Sequence, residues 1–172
     1  MRVLAVDPAL RNVGYVVFYD GVLKASGHIS APKDIGDDDG KQVWINKQLA
    51  RIIKECEIQM MIWEKATGKT RDFNSIKGVF IPLGWMVCLA GVFSLPFYTV
   101  TPFQAKEALT GKKRADKSEM IAAAQSQFNI SYPEWRGKIV SGKAEHIADA
   151  AGVYQAGKNL LKMKGINIDT KA

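Results

Sequence analysis

Four residues of the chain have the side chains and the spacing for metal-dependent phosphodiester chemistry. Asp7 and Glu64 each end a short apolar run of strand length, while His146 and Asp149 lie three residues apart and would share one face of a helix. Like-charged carboxylates repel one another, and Mg²⁺ or Mn²⁺ would give a reason to gather them because oxygen ligands suit these ions. If the helix face lies against the two strand ends, the four groups converge. Two ions there could activate a water and stabilise the leaving oxygen of a phosphodiester.

Each of these residues also has a purely structural interpretation. Asp7 alone is typical of a turn cap, Glu64 of a strand-end acid, Asp149 of an ion-pair partner within its helix, and His146 of an N-terminal helix residue. Glu145 lies about 100° around the helix from His146, so we expect it to be solvated. The order strand, hairpin, strand, acid, helix favours the joint, chemical interpretation of the four.

The elements that must position these residues form an α/β pattern. The Asp20-Gly21 pair is a strong signal for a hairpin between the second and third strands. Three adjacent aspartates at 37–39 lack the spacing of a calcium loop and predict a solvated turn or a helix cap. Strands are predicted over 2–7, 15–19, 22–29, 58–63 and 97–100, and helices over 42–56, 75–93, 103–109, 116–128 and 144–163.

The length and the cysteine content indicate the number of domains and the cellular compartment. The 172 residues suffice for one domain over 1–165, followed by a short C-terminal tail over 166–172. No basic-then-apolar signal segment is apparent. Cys56 and Cys88 have no zinc-site or CxxC spacing, so we expect buried, reduced thiols in a cytoplasmic protein.

Charge is distributed unevenly along the chain. The net charge of +7 and the pI near 9.4 indicate a polyanionic partner. Residues 78–104 carry no charge, but prolines interrupt them and no apolar span reaches the roughly twenty residues of a bilayer crossing, so no membrane association is predicted. The helix within this stretch is predicted to be buried, and its surplus of apolar surface also suits a homodimer interface.

The motifs, taken in this order and spacing, resemble the RuvC-type Holliday junction resolvases of the RNase H-like superfamily. The resemblance covers nearly the whole chain. It implies an α/β, RNase H-like fold: a mixed five-stranded sheet, with strands 1–3 antiparallel, flanked by helices on both faces. It also implies a homodimer that makes paired metal-dependent nicks on opposing strands of a four-way DNA junction. The motifs are Leu4-Ala5-Val6-Asp7-Pro8, Gly14-Tyr15, Ile62-Trp63-Glu64, Thr101-Pro102 to Lys106, Thr110-Gly111, Ala115-Asp116-Lys117 and His146-Ile147-Ala148-Asp149-Ala150.

The resemblance also implies roles for the four residues. Asp7, Glu64 and Asp149 match the acidic metal ligands, with two Mg²⁺ ions per active site and Mn²⁺ as a substitute. His146 stands where many members carry a fourth Asp. It is therefore either a fourth metal ligand or a group that assists the water and the phosphate.

The same resemblance assigns the groups that meet DNA. Lys106 and Lys117 match basic positions near the scissile backbone and are predicted to be catalytic. Thr67 lies close to the place of an aromatic residue that wedges the junction open in bacterial enzymes, and Phe73 is the available substitute. The other predicted DNA-binding residues are basic: Arg11, Lys65, Lys69, Arg71, Lys112, Lys113, Arg114 and Lys143.

Three alternative functions remain open at this point. The nearest is a less selective endonuclease that cuts forks, flaps and three-way junctions. A second is a junction-binding module without activity, although acids facing DNA would not help a pure binder. The third is an actin-like sugar kinase or ATPase, which shares an early Asp-turn-Gly beside a hairpin but needs two such domains. No motif identifies a helicase partner.

Overall fold

The computed structural model describes residues 1–66 and 73–169, leaving aside the side chains of residues 73–75 and 135. Five strands form one sheet in the order β3-β2-β1-β4-β5. Strand β2 runs antiparallel to β1 and β3, whereas β4 and β5 run parallel to β1. A separate two-stranded sheet joins β6 and β7. The elements are β1 (Arg2–Asp7), β2 (Asn12–Tyr19), β3 (Val22–Ser30), α1 (Asp38–Glu55), β4 (Met60–Glu64), α2 (Phe73–Val92), β5 (Phe97–Val100), α3 (Pro102–Thr110), α4 (Lys117–Phe128), β6 (Glu134–Trp135), β7 (Lys138–Ile139) and α5 (Ser141–Met163).

Helices cover both faces of the five-stranded sheet. One buried cluster joins the sheet to α3, α4 and α5. The other joins its opposite face to α1 and α2. Strand β1 lies between the two clusters, and its residues 3–6 are all buried, which explains the unbroken apolar run. The predicted mixed sheet with helices on both faces is therefore confirmed.

Helix α5 packs closely on the sheet because small residues stand at the contacts. A Cβ atom added at Gly14 would lie 1.8 Å from the carbonyl oxygen of His146. One added at Gly157 would lie 2.5 Å from Cδ1 of Ile62. The helix backbone therefore rests directly on β2 and β4, which brings its N-terminal half over the ends of the central strands.

Several element boundaries differ by a few residues from the sequence-based ones, and the start of α1 differs by four. Helix α1 begins at Asp38, because the Asp37 side chain accepts a hydrogen bond from the backbone N–H of Gly40 at 2.5 Å and caps the helix. The predicted cap in the acidic triplet is thus confirmed. The β6–β7 hairpin was not predicted. Its two-residue turn, Arg136 (φ 51°) and Gly137 (φ 73°), has the left-handed geometry of tight hairpins, but its strands are too short to show alternation.

The first residues after the predicted domain boundary at 165 do not form a free tail. Ile168 is buried in the cluster beneath α5, and Lys158 Nζ lies 2.5 Å from Asp169 Oδ2. The first residues beyond the predicted boundary at 165 therefore belong to the packed domain. Residues 170–172 lie outside the described residues.

The largely apolar helix α2, which carries one charged residue, Lys77, is buried on one side only, so the predicted burial is wrong for its other side. Met86, Leu89 and Ala90 face the core. The opposite surface exposes large apolar side chains and Cys88, whose predicted burial is likewise wrong, while the other free thiol, Cys56, is half-buried. The exposed side chains are Ile76, Phe80, Trp85, Val87 and Val92. No helix within residues 1–66 and 73–169 is long and apolar enough to cross a bilayer.

Candidate active site

The two strand-end acids lie side by side at one edge of the sheet. Strands β1 and β4 are parallel neighbours, and Val6 pairs with Trp63. Asp7 and Glu64 are the next residues of their strands, so their backbones are about 5 Å apart. Both side chains are mostly buried. The sheet therefore brings together two carboxylates that are 57 positions apart in the chain.

Helix α5 adds an imidazole and a third carboxylate to this edge. The Nδ1 atom of His146 lies 2.7 Å from Oδ2 of Asp7, in hydrogen-bonding contact. Asp149 lies one helical turn further on, close enough for its charge to act on Glu64. The structure thus gathers all four residues that the sequence analysis singled out.

The charges of these groups act on one another. Burial, then the charges of Asp7 and Asp149, raise the pKa of Glu64 to about 8. Burial, followed by Asp7 and Glu145, raises the pKa of Asp149 to about 7. Both carboxyl groups are therefore held partly protonated near neutral pH, because the site lacks enough positive charge to keep them ionised.

His146 supplies part of the missing positive charge. Its hydrogen bond to Asp7 raises the pKa of the imidazole, and the charges of Asp7, Asp149 and Glu145 act in the same direction against the effect of burial. The protonated ring then donates to Asp7. In turn, His146 and Lys106 lower the pKa of Asp149.

The carboxylates at this site are the type of ligand that a hard divalent cation prefers. Carboxylate oxygens are typical ligands of Mg²⁺ and Mn²⁺, whereas an imidazole nitrogen is more typical of the later transition metals. Within the described ranges, no three His, Cys, Asp or Glu side chains are close enough together to enclose an ion. Asp7 instead bonds to His146. A bound ion would therefore require these side chains to turn toward it and Glu64 to lose its proton.

The two predicted catalytic lysines occupy different positions. Lys106 lies near the acids, since its charge lowers the pKa values of Glu64 and Asp149, and its Nζ donates to the Ala115 carbonyl at 2.9 Å. Lys117 is exposed and pairs with Glu145, with 2.7 Å between Nζ and Oε2. Glu145 is partly buried and paired, so its predicted solvation is wrong.

The other predicted DNA-binding residues are spread over the surface. Lys65, Arg114 and Lys143 are exposed. Arg11, Lys112 and Lys113 pair with Asp38, Glu119 and Glu107, but exposed pairs are weak enough to yield to a phosphate. Thr67, Lys69 and Arg71 lie outside the described residues, as does the side chain of Phe73.

Sequence reasoning missed the residues that hold His146 in place. Asp7 pairs with Gly14 on β2, and Gly14 pairs with His28 on β3, so the three lie in one row across the sheet. The His146 backbone passes over Gly14, and its ring faces the ring of His28, with 5.6 Å between ring centroids and 30° between planes. The hairpin pattern predicted the strand that carries His28. The β2 residue that pairs with His28 could not be found by counting back from the turn, because the register shifts between Val17 and Phe18.

His28 remains neutral at physiological pH. Burial, then the nearby charges of His146 and Lys143, lower its pKa to about 4. Its Nδ1 lies 3.2 Å from Oγ of Ser30, which itself donates to Oδ1 of Asn12 at 3.0 Å.

The strand order and the acids at the strand ends define an RNase H-like fold with a nuclease-type site. RuvC from Thermus thermophilus is similar, with a TM-score of 0.70 and 18% identity over 96% of this chain and 97% of that one. T. thermophilus RuvC in complex with a Holliday junction substrate gives a TM-score of 0.73, also at 18% identity and 96% of both chains. The yeast mitochondrial Holliday junction resolvase Ydc2 gives 0.61 at 15% identity, over 90% of this chain and 76% of that one.

Sequence relatives identify the family. The crossover junction endodeoxyribonuclease RuvC of Synechococcus sp. strain WH7803 is 30% identical over 141 residues, which covers 77% of this chain and 87% of the relative. The RuvC protein of strain CC9311 is 30% identical over 142 residues, covering 77% and 88%. No protein-family model matches the chain. The chain belongs to the RuvC family of crossover junction endodeoxyribonucleases.

Proposed function

We propose that this protein resolves four-way DNA junctions by paired, metal-dependent nicks on opposing strands. The observation that carries the proposal is the convergence of Asp7, Glu64, His146 and Asp149 at the ends of β1 and β4. Membership in the RuvC family supports junction cleavage as the reaction. A similar structure holds a Holliday junction substrate, which supports branched DNA as the ligand.

The cofactor in this proposal is a pair of Mg²⁺ ions, for which Mn²⁺ can substitute. Asp7, Glu64 and Asp149 would hold them, with His146 as a fourth ligand or as a proton carrier beside Asp7. Bound ions would lower the pKa of a water and stabilise charge on the phosphate and the leaving oxygen. The raised pKa values of Glu64 and Asp149 support this assignment, since a bound cation would offset both the burial and the repulsion that raise them.

The lysines complete the site in two ways. Lys106 lies beside the acids and would stabilise negative charge as the phosphate reacts. Lys117 would reach the scissile strand after it leaves Glu145, with which it is paired in the free protein. The more distant cations Lys112, Lys113 and Arg114 would hold the DNA backbone and contribute affinity without sequence preference.

A homodimer would supply the two active sites that paired nicks require. Ile76, Phe80 and Val87 are exposed apolar residues on one side of α2, and burial against a second copy would remove them from water. We refer to these three residues as the α2 stripe. The proposed place of action is the cytoplasm.

The test is a cleavage assay on synthetic DNA with and without Mg²⁺. Four-way junctions, forks, flaps, three-way junctions and plain duplex are compared at equal concentration, with Ca²⁺ used to measure binding. Mg²⁺-dependent paired nicks confined to the four-way junction are expected. Equal cutting of forks and flaps would favour the less selective endonuclease, and tight junction binding without cutting under any metal would favour the binding module.

A further inference from the structure

A cavity of about 450 Å³ opens around the end of the edge strand β3, beside the active site but outside the four-residue cluster. His28 and Ser30 contribute from β3, Tyr15 from β2, and Lys143 from the first turn of α5. Helix α1 closes the far side. Its contribution includes Trp44, Gln48 and Arg51, which stand at helical spacing on one face.

The cavity is connected to the active site through His28. This residue lines the cavity and faces the ring of His146, which bonds to Asp7. His28 stands two strands away from Asp7 in the same row of the sheet, so their backbones are about 10 Å apart. One strand of a DNA duplex advances 3.4 Å per nucleotide, so this distance corresponds to about three nucleotides of duplex, or fewer when the strand is extended.

The lining suits a nucleotide. Trp44 and Tyr15 are half-buried aromatic rings, and every base offers a flat face that can stack on them. Arg51 and Lys143 are exposed cations at the rim, suited to a phosphate. None of the described residues that line the cavity is acidic, so the lining lacks the oxygen ligands of a metal site.

The pairing of Arg51 supports a phosphodiester strand as the occupant. Arg51 donates through Nε to Glu55 at 2.6 Å, and this exposed pair keeps the guanidinium at the rim while contributing little stability of its own. A phosphate can therefore replace Glu55 as its partner at low cost.

We propose that this cavity holds one nucleotide of the strand being cut, a short distance from the scissile phosphate, with its base against Trp44 and Tyr15 and its phosphate between Arg51 and Lys143. This inference rests on the proposed junction cleavage at Asp7. It adds a second contact between the protein and the cut strand. Contacts on both sides of the reacting phosphate would hold the phosphate in line for attack.

The test uses four-way junctions with single lesions placed along the cut strand, from five nucleotides before the scissile phosphate to five after it. An abasic site removes one base, and a methylphosphonate removes one phosphate charge. Affinity is measured in Ca²⁺ and single-turnover cleavage in Mg²⁺. The variants are Trp44→Leu, Trp44→Phe and Arg51→Ala. Lys54→Ala is the matched control, because Lys54 is an exposed cation of the same helix that lies over the Phe93 ring and does not line the cavity.

In the wild-type protein, one abasic position is expected to lower affinity about five- to 150-fold, the range of a stacked base. That penalty should disappear in Trp44→Leu and persist in Trp44→Phe, which keeps an aromatic face. The methylphosphonate penalty at the same or an adjacent position should disappear in Arg51→Ala and persist in Lys54→Ala. Arg51 is exposed, so this arm decides the question even if the Trp44 variants fold poorly.

The proposal is overturned if every lesion carries the same penalty in Arg51→Ala as in wild type, or if Lys54→Ala removes penalties equally well. Its failure is separable from a failure of the proposed function. Wild-type cutting that is lost in Asp7→Asn, together with unchanged lesion profiles in the cavity variants, would leave junction cleavage standing and remove only the cavity from the DNA path.

Discussion

The imidazole of His146 lies 2.7 Å from the carboxylate of Asp7, although 139 positions separate the two residues in the chain. Gly14 makes this contact possible, because the His146 backbone occupies the space that a side chain would fill there. The bond raises the pKa of His146 and partly neutralises Asp7. A metal ion at Asp7 would have to compete with this bond, so metal affinity should fall as His146 becomes protonated at lower pH.

Asp7→Asn should abolish cutting while junction binding persists. The amide is a poor metal ligand, and the lost negative charge reduces repulsion toward phosphate. Cleavage in Mg²⁺ and affinity in Ca²⁺ are measured side by side, with the exposed loop variant Asp34→Asn as control. The same substitution should lower the pKa of His146 in NMR titrations, because its charged partner is gone. Wild-type cutting by Asp7→Asn would show that the site is assigned wrongly.

Glu64→Gln should stabilise the metal-free protein at pH 9 and change little at pH 5. The pKa of Glu64 is raised from 4.5 to about 8, so the folded state holds this proton more tightly than the unfolded state. Folding stability from this group therefore falls as pH rises between these values, by roughly 1.4 kcal/mol per pH unit at most. A glutamine at this position has no charge to bury, so the variant does not lose this stability as the pH rises.

Urea unfolding at pH 5 and pH 9 measures the effect of Glu64→Gln, and the exposed Glu134→Gln serves as the control. Adding Mg²⁺ at pH 9 should raise the stability of wild type more than that of Glu64→Gln, since only the former keeps the carboxylate. Equal stabilisation of the two by Mg²⁺ would remove Glu64 from the ligand set.

Gly14→Ala should destabilise the protein and impair cutting. The new Cβ would lie 1.8 Å from the carbonyl oxygen of His146, so α5 must move away from β2. A cost of about 2–4 kcal/mol is expected for such overpacking. Gly142→Ala is the matched change in α5 itself, where an added Cβ meets nothing within 4 Å. It should be neutral or stabilising by up to about 1 kcal/mol. Thermal unfolding of both variants compares them, and equal stability would contradict the close contact at Gly14.

Lys106→Ala and Lys117→Ala should lower the cleavage rate at saturating DNA, because both lysines are proposed to act on the reacting phosphate. A loss of about 10²-fold is typical for one electrostatic stabiliser. Lys112→Ala and Lys113→Ala should instead weaken binding to every DNA shape and flatten its salt dependence. Single-turnover cleavage with enzyme in excess, beside binding in Ca²⁺, separates the two effects.

The ion pair between Lys117 and Glu145 provides an internal check of that lysine's role. Glu145→Gln releases the ammonium group, so it should tighten junction binding or leave it unchanged, and it should not slow the saturated rate. If Lys106→Ala and Lys117→Ala lose only affinity, both residues belong to the DNA-binding surface rather than to the active site.

Val87→Glu should disrupt the homodimer. Val87 lies in the α2 stripe, where a charge would be buried at the interface. Val22→Glu is the control, since Val22 is a similarly exposed valine on the edge strand β3. Sedimentation at micromolar concentration should give about twice the chain mass for wild type and Val22→Glu, and one chain mass for Val87→Glu. Wild type that is monomeric yet still makes paired nicks would refute the dimer.

The sequence by itself predicted the five strands of the main sheet, the five helices and the residue types that meet at the site. Strand-end acids such as Asp7 and Glu64 are readable because an apolar run that stops at a carboxylate is a local pattern. The spacing of His146 and Asp149 likewise places both on one helix face without knowledge of the fold. The element order and the motifs along it then predicted the RNase H-like sheet and the RuvC family.

Only the tertiary structure decided which groups touch these residues. The Gly14–His28 row depends on strand register across a hairpin with an irregularity, and the Glu145–Lys117 pair depends on how α5 packs beside α4. Cys88 is exposed because α2 turns one apolar side away from the core, which residue type alone does not reveal. The cavity at β3 forms where three separate segments meet around one strand end. Such features arise from contacts between distant parts of the chain, whereas sequence patterns report neighbours within one element.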